Sequence, residues 1–324
     1  MKAMTIREHG GPDQLVLSEL PVPVPAHGEV LIRVKALGIN RAETYMRRGV
    51  WGNVAKVSGI ECVGLVEQDT TGRLPKGSKV AAIMGGMGRT RNGSYAEYTS
   101  VPATNVFPLD TGLDWAELAA IPESYATAWS CLVHSLRLQK GQALLVRGAS
   151  SALGQAALNI ASRIGAVTLA TTRKKDREPL LKSLGASRVL IEADTLASAV
   201  REMHPDGIDA VLELLGNRTL LDSMRMARKG GRVCVAGFLG GAEPVPFDVL
   251  TGMSPGVDVS FYASFMLGTK DYPLSDIPMQ EIVNEAARGA YKAKPVKVLP
   301  FEEIPEAHRL VESNAAGGKI VVVV

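Results

Sequence analysis

The chain has 324 residues, 46% hydrophobic and 21% charged, and its 36 Lys and Arg against 33 Asp and Glu leave a formal net charge of +3. That length admits two domains with sizeable cores, and so small a surplus gives no reason to expect nucleic acid as the main partner. No apolar segment approaches the roughly 20 residues of a membrane span, and the opening MKAMTIREHG lacks the apolar centre of a signal peptide, so a soluble cytoplasmic protein is expected.

Residues 1–122 read as mostly β. Proline-rich punctuation precedes the alternating run 29–36, with Val30, Ile32 and Val34 on one face and Leu31, Arg33 and Lys35 on the other. Runs 62–68, 79–83 and 95–101 are further strand candidates separated by glycine-bearing turns, the pattern of a compact barrel-like domain. Cys62, Cys131 and Cys234 stand far apart, two of them in apolar runs, so buried thiols in a reducing compartment are expected. The five histidines, His9, His27, His134, His204 and His308, show no metal-ligand spacing.

From Pro122 the pattern changes, and SYATAWSCL predicts a helix capped by Ser124. The central stretch follows. ALLVRG is an apolar run suited to a buried strand, ASSALG a loop of small residues, and the next segment a helix with apolar positions at Ala157, Ile160, Ala161 and Ile164. A second apolar run, 167–170, completes a strand, helix, strand unit that requires a parallel sheet.

A helix start free of bulky side chains admits a pyrophosphate to its unsatisfied N–H groups. Against the pattern G-x-G-x-x-G the loop offers Ala149, Ser151 and Gly154, so only the last glycine is kept, and Ser150, Ser151, Ala152 and Leu153 are the candidate diphosphate contacts. The missing glycines put the tight turn in question, because Ala and Ser do not enter left-handed conformations cheaply. The second strand ends Thr171, Thr172, Arg173, Lys174, Lys175, and the first acid, Asp176, lies past the turn. An NAD site places a carboxylate there for the ribose 2′-OH, whereas a 2′-phosphate calls for cations. Thr172, Arg173 and Lys174 therefore point to NADP, as NADPH.

Runs 188–191, 210–214 and 232–236 continue the alternation as buried strands with helices between them. Ligand contacts in such sheets lie at strand ends, which selects Leu215 and Gly216 in one loop and Gly237 and Phe238 in the next for the nicotinamide half. VDVSFYASFM, at 257–266, is rich in strand formers; 277–291 and 302–312 have helical spacing, and 319–324 reads as a final strand.

The segments GINRAETYMRRG, VSGIECVGLVEQ, PKGSKVAAI, NGSYAEY, AAIPESYATAW, KSLGA, GGRVCVAGF and GGKIVVVV, taken with the small-residue loop, resemble in order and spacing the medium-chain dehydrogenase/reductase superfamily, and within it the zinc-independent quinone oxidoreductase group. The resemblance implies an α/β fold in which a Rossmann domain, a doubly wound parallel sheet at 123–265, is inserted into a chaperonin-10-like (GroES-like) substrate domain formed by 1–122 and 266–324. It implies cofactor contacts for Thr127, for Phe265 near the nicotinamide and for Asn314 and Lys319 near the phosphates, a substrate held between the domains, and a homodimer paired through the strand in 257–266.

Zinc alcohol dehydrogenases of this superfamily carry Cys in the segment matching GINRAE and Gly-His-Glu in the segment matching Gly59, Ile60 and Glu61. Here Asn40 and Ile60 stand at the first two ligand positions, and 63–130 contains no cysteine for a structural zinc lobe, so no metal is expected. Without a Lewis acid the accessible reaction is hydride addition to a quinone or an α,β-unsaturated carbonyl, whose charge spreads over a phenolate or enolate that a few hydrogen-bond donors can stabilise. Asn40 and Tyr45 are the donors expected, Tyr45 also as a proton source. Two further readings stay open: a non-catalytic dinucleotide-binding redox sensor or RNA-binding relative, and an enoyl-thioester reductase whose phosphate-binding patch would draw on Arg47, Arg48, Arg89 and Arg91.

Overall fold

The computed structural model describes residues 1–252 and 254–324, and the chain divides into two compact units, Met1–Glu123 with Ser264–Val324, and Ser124–Ala263. The first unit opens with an antiparallel pair, β1 (Lys2–Ile6) and β2 (Leu15–Glu19). Next comes β3 (Glu29–Ile39), whose Val30, Ile32 and Val34 enter the core. Asn40 then caps α1 (Arg41–Arg47), and β4 (Glu61–Asp69), β5 (Lys79–Ile83), β6 (Tyr98–Pro102) and β7 (Val106–Pro108) follow. The strand expected from residue 95 starts three residues later because the Ala96 N–H turns back onto the Ser94 carbonyl at 2.7 Å. A short α2 (Trp115–Ala119) is capped by Asp114, which accepts from the Glu117 N–H.

The helix expected to be capped by Ser124 is α3 (Pro122–Ser130), and Ser124 lies buried inside it. Proline has no N–H to lose in a first turn and its fixed φ suits a helix start, so Pro122 moves the beginning upstream. The helix runs directly into a π-helical turn, Cys131–Ser135.

The second unit alternates regularly: β8 (Ala143–Arg147), α4 (Ala152–Ile164), β9 (Val167–Thr172), α5 (Glu178–Ser183), β10 (Arg188–Ile191), α6 (Ala197–Met203), β11 (Ile208–Glu213), α7 (Asn217–Met226), β12 (Ala227–Val235), α8 (Val249–Gly252) and β13 (Asp258–Phe261). All six strands are parallel, in the order β10-β9-β8-β11-β12-β13. Counted from β8 as the first, that is third, second, first, fourth, fifth, sixth, the doubly wound order whose reversal beside the first strand leaves a ligand crevice at the carboxyl ends. The apolar face of α4 buries Ala157, Ile160 and Ala161, and the helix stops at Gly165, φ 85°. The strand-forming stretch at 257–266 gives only four residues of β13 before a 3₁₀ turn at Ser264–Met266.

The tail returns to the first unit as α9 (Met279–Ala287), β14 (Lys297–Pro300), α10 (Ile304–Glu312) and β15 (Ile320–Val323). β15 pairs antiparallel with β3, Ile320 opposite Ile39, and parallel with β14, which completes the sheet β14-β15-β3-β4-β5-β7 with β6 also on β3.

Candidate functional site

The loop from β8 to α4 makes its tight turn at Gly148, φ 86°, one residue ahead of the fingerprint position where a glycine is missing. Ala149 and Ser151 therefore never need a left-handed conformation. The turn is tied to β9: Gly148 N–H donates to Thr171 Oγ1 at 3.0 Å, and Ala149 N–H to the Thr171 carbonyl at 3.2 Å. Ser151 is the N-cap of α4, its Oγ accepting from Gly154 N–H at 3.1 Å and donating to the Gly148 carbonyl at 2.9 Å. Gly154 is what allows the helix to sit this close. A Cβ there would lie 2.6 Å from Ala149 Cα and 2.7 Å from the Gly148 oxygen. Ser150, Ser151, Ala152 and Leu153 are half-buried, and the first-turn N–H groups of Ala152 and Leu153 lack intrahelical acceptors by their position. This arrangement suits a diphosphate at the positive end of a helix of 13 residues.

At the end of β9, Thr172 is buried and its Oγ1 meets the Lys174 backbone. Arg173 and Lys174 are exposed, and neither side chain makes a hydrogen bond or ion pair among the described residues. Two neighbouring cations without protein counter-ions suit a phosphate.

Loops 214–216 and 237–240 lie against each other, with Leu239 N–H on the Leu214 carbonyl at 3.0 Å and Gly240 N–H on Leu215 at 2.8 Å. Gly216 has φ 100° and would bring a Cβ within 2.8 Å of the Phe238 ring; Gly237 would bring one within 2.9 Å of the Leu214 oxygen. The Phe238 ring centre is 5.8 Å from that of Phe261.

The residues that hold these loops escape sequence reasoning. Arg147, the last residue of β8, is fully buried and donates to Glu192, Asp222, Ser223 Oγ and the carbonyls of Thr219 and Ala193, all between 2.6 and 3.2 Å. Glu213, the last residue of β11, accepts from the N–H groups of Leu215 (2.6 Å) and Gly216 (3.1 Å) and from Ser223 Oγ (2.6 Å). Burial raises the Glu213 carboxyl pKa against the opposing pull of these donors and of Arg147. The only signal available was a charged residue closing each of two buried runs.

In the first unit, α1 starts with a capping box: Asn40 N–H donates to Glu43 Oε2 at 2.5 Å. Asn40 was expected to donate to a substrate, and the structure gives its amide other partners. Nδ2 donates to Glu61 Oε1 at 2.9 Å and reaches Glu43 Oε1 at 3.4 Å, while Oδ1 accepts from Lys319 Nζ at 2.5 Å. Lys319 likewise is buried against Asn40 and Glu61 rather than presented as an open phosphate ligand. Burial lowers the Lys319 pKa, but Glu61, Glu123 and Glu43 outweigh it and hold the ammonium above its ordinary value. With one cation for two buried carboxylates, Glu43 is pushed up to about 8, by burial first and by Glu61, against the pull of Lys319.

Tyr45 is half-buried on α1, its ring centre 5.6 Å from that of Trp51. Thr127 is buried in α3. Phe265 is 56% exposed, and the exposed Asn314, φ 55°, accepts from Arg41 Nη2 at 2.5 Å. The four arginines proposed for a thioester-phosphate patch are not equivalent: Arg47 is ion-paired with Glu312 and Arg91 with Glu29, whereas Arg89 lies against aromatic rings.

Residues 26–111 match the alcohol dehydrogenase GroES-like domain, and residues 152–278 the zinc-binding dehydrogenase family. Human quinone oxidoreductase is 30% identical over 331 residues, covering 99% of this chain and 97% of that protein. The chain belongs to the zinc-independent quinone oxidoreductase-like group of the medium-chain dehydrogenase/reductase superfamily. Two solved structures of quinone oxidoreductases share the fold of this superfamily member along its whole length. The Pseudomonas syringae enzyme has a TM-score of 0.89 at 22% identity, over 99% of its own chain. The Escherichia coli enzyme, complexed with NADPH, has 0.85 at 20%, over all of its chain. The donor set of this group member does not suit zinc even though 152–278 match a family described as zinc-binding. A carboxamide and an isoleucine stand at two ligand positions, and the Lys319 ammonium already neutralises Glu61.

Proposed function

We propose that this oxidoreductase uses NADPH to reduce a quinone or an α,β-unsaturated carbonyl by direct hydride transfer. The observation that carries the reading is the pairing of an open helix start at 151–153 with two uncompensated cations, Arg173 and Lys174, at the end of the adjacent strand.

When bound, the reduced dinucleotide supplies the hydride. Ser150 and the N–H groups of Ala152 and Leu153 hold the diphosphate, and Arg173 and Lys174 hold the 2′-phosphate. Leu215, Gly216, Gly237 and Phe238 line the nicotinamide, their loops fixed by Glu213 and Arg147. Tyr45 donates a hydrogen bond to the acceptor oxygen where charge accumulates. Asn40, committed to Glu61 and Lys319, positions the first turn of α1 and so the Tyr45 backbone. Phe265 and Thr127 complete the cofactor contacts, and Asn314 orders the segment ahead of β15 through Arg41.

β13 is the edge of its sheet, paired on one side only among the described residues, with Val259 40% and Phe261 61% exposed. Pairing of two such edges makes a homodimer the assembly we infer. The test of function is absorbance at the reduced nicotinamide band with a panel of quinones and enones, alongside NADPH and NADH titrations. Absence of oxidation with every acceptor refutes the activity, and equal affinity for the two cofactors refutes the phosphate assignment.

A further inference from the structure

Arg89 lies against two aromatic rings. Its guanidinium carbon lies 5.5 Å from the centre of the Trp51 ring and 5.0 Å from that of Phe265. Trp51 in turn packs on Tyr45 with the two ring planes 50° apart, so four groups follow one another in a row: phenol, indole, guanidinium, phenyl. Arg91, two residues on, is spent on Glu29 and the Ser100 carbonyl; Arg47 is paired with Glu312; Arg41 donates to Asn314 and the Val311 carbonyl. The Arg89 guanidinium makes no hydrogen bond or ion pair among the described residues.

Arg89 and Phe265 both stand on fixed backbone. N–H groups of Arg89, Thr90 and Arg91 converge on the Gly86 carbonyl at 3.0, 2.9 and 3.2 Å, and the left-handed Gly85 and Gly86 fold the chain back to permit it. Beyond Phe265, Asn105 Nδ2 donates to the Leu267 carbonyl at 3.0 Å, and Gly268, φ 85°, leaves no room for a Cβ against that amide. Trp51 and Phe265 nevertheless remain 40% and 56% exposed. A guanidinium carries its N–H donors in a planar fork, and those of Arg89 meet no protein acceptor among the described residues, which leaves them for an oxyanion. A planar ring laid along the exposed aromatics extends this row of groups, and a bidentate oxyanion on that ring meets the fork.

We propose that Arg89 is a specificity-determining residue that selects planar aromatic acceptors bearing a fixed negative charge, such as a quinone carboxylate or sulfonate. This rests on the acceptor reduction proposed above and narrows its substrate class.

The test compares kcat/KM for 1,2-naphthoquinone and its 4-sulfonate in the full chain, in Arg89→Leu and in Arg89→Lys. The unmodified protein prefers the sulfonate, and Arg89→Leu lowers the ratio of the two constants at least about tenfold, as expected when one charge-assisted bidentate contact is lost. Arg89→Lys, which keeps the charge without the planar fork, gives an intermediate ratio. A ratio unchanged in Arg89→Leu overturns the proposal even if both constants fall. A binding experiment without turnover separates this proposal from the one it rests on. Quenching of tryptophan fluorescence by 1-naphthalenesulfonate, assigned through Trp51→Phe, should weaken at least about tenfold in Arg89→Leu. Quenching that depends on Arg89 without reduction of either quinone supports the anion site and refutes the oxidoreductase reading. Reduction of both quinones with no charge preference does the reverse.

Discussion

Replacing Gly154 with alanine tests whether the start of α4 is set for a diphosphate. The new Cβ would sit 2.6 Å from Ala149 Cα, 2.7 Å from the Gly148 oxygen and 2.8 Å from the Ala149 carbonyl carbon, where ordinary contact begins at 3.4 Å. All three obstacles are backbone, so no rotamer change relieves them, and the helix start must retreat by about 0.8 Å, the distance short of that contact. Overpacking of this kind costs about 1–3 kcal/mol, which for a unit of this size lowers Tm by roughly 3–10 °C. The same retreat lengthens every N–H contact to the diphosphate, and the NADPH Kd should rise at least about tenfold, or 1.4 kcal/mol. Calorimetric titration with NADPH and a thermal melt read both effects. Gly11→Ala is the control, because Gly11 has φ −73° and nothing within 4 Å of an added Cβ. A Gly154→Ala protein that melts normally and binds NADPH within about twofold of the parent refutes the assignment of the loop.

Alanine at Arg173 and Lys174 should weaken NADPH by at least about tenfold per residue while leaving NADH nearly unchanged, measured by fluorescence titration. Arg147→Met leaves Asp222 and Glu192 without their buried cation and should destabilise the second unit by about 3–5 kcal/mol in urea melts; a loss below 1 kcal/mol would contradict the network described. Burial, reinforced by Arg47, lowers His308 to about 3, while the unfolded imidazole titrates near 6.5. Between those values the unfolded chain holds more protons, so the contribution of His308 to stability is complete above pH 6.5 and drains away as pH falls toward 3, by up to about 1.4 kcal/mol per unit. The stability gap between the parent and His308→Gln should therefore narrow from pH 7 to pH 4, and a constant gap would show that the histidine does not titrate differently on folding. Phe261→Glu should convert the inferred dimer to monomer in light scattering, with an unmoved mass arguing against pairing through β13.

The Rossmann unit was legible because its strands are apolar runs, and the one at 188–191 was located to the residue, as was the strand at 79–83 in the other unit. The glycine pattern was misleading by one position: Gly148 supplies the positive φ that the fingerprint assigns to its neighbour, so the loop is better formed than its letters suggest. Asn40 was read from its amide chemistry alone, and the partners that the structure gives it stand 21 and 279 residues away, where no local pattern reveals them. The Arg147 network is equally non-local, gathering partners 45 to 76 residues downstream.

The placement of β15 beside β3 bears on how the molecule is made. A ribosome delivers the whole of the contiguous second unit before it delivers the strand that completes the first, so Ser124–Ala263 can reach its native structure while β3 still lacks the neighbour that will cover its edge. During that interval the nascent amino-terminal half carries an open strand edge of the kind that invites aberrant pairing. Synthesis rate across the last sixty or so codons thus becomes a determinant of yield, and a chain stalled before Ile320 should be captured by holdase chaperones through its first hundred residues rather than through its nucleotide-binding half.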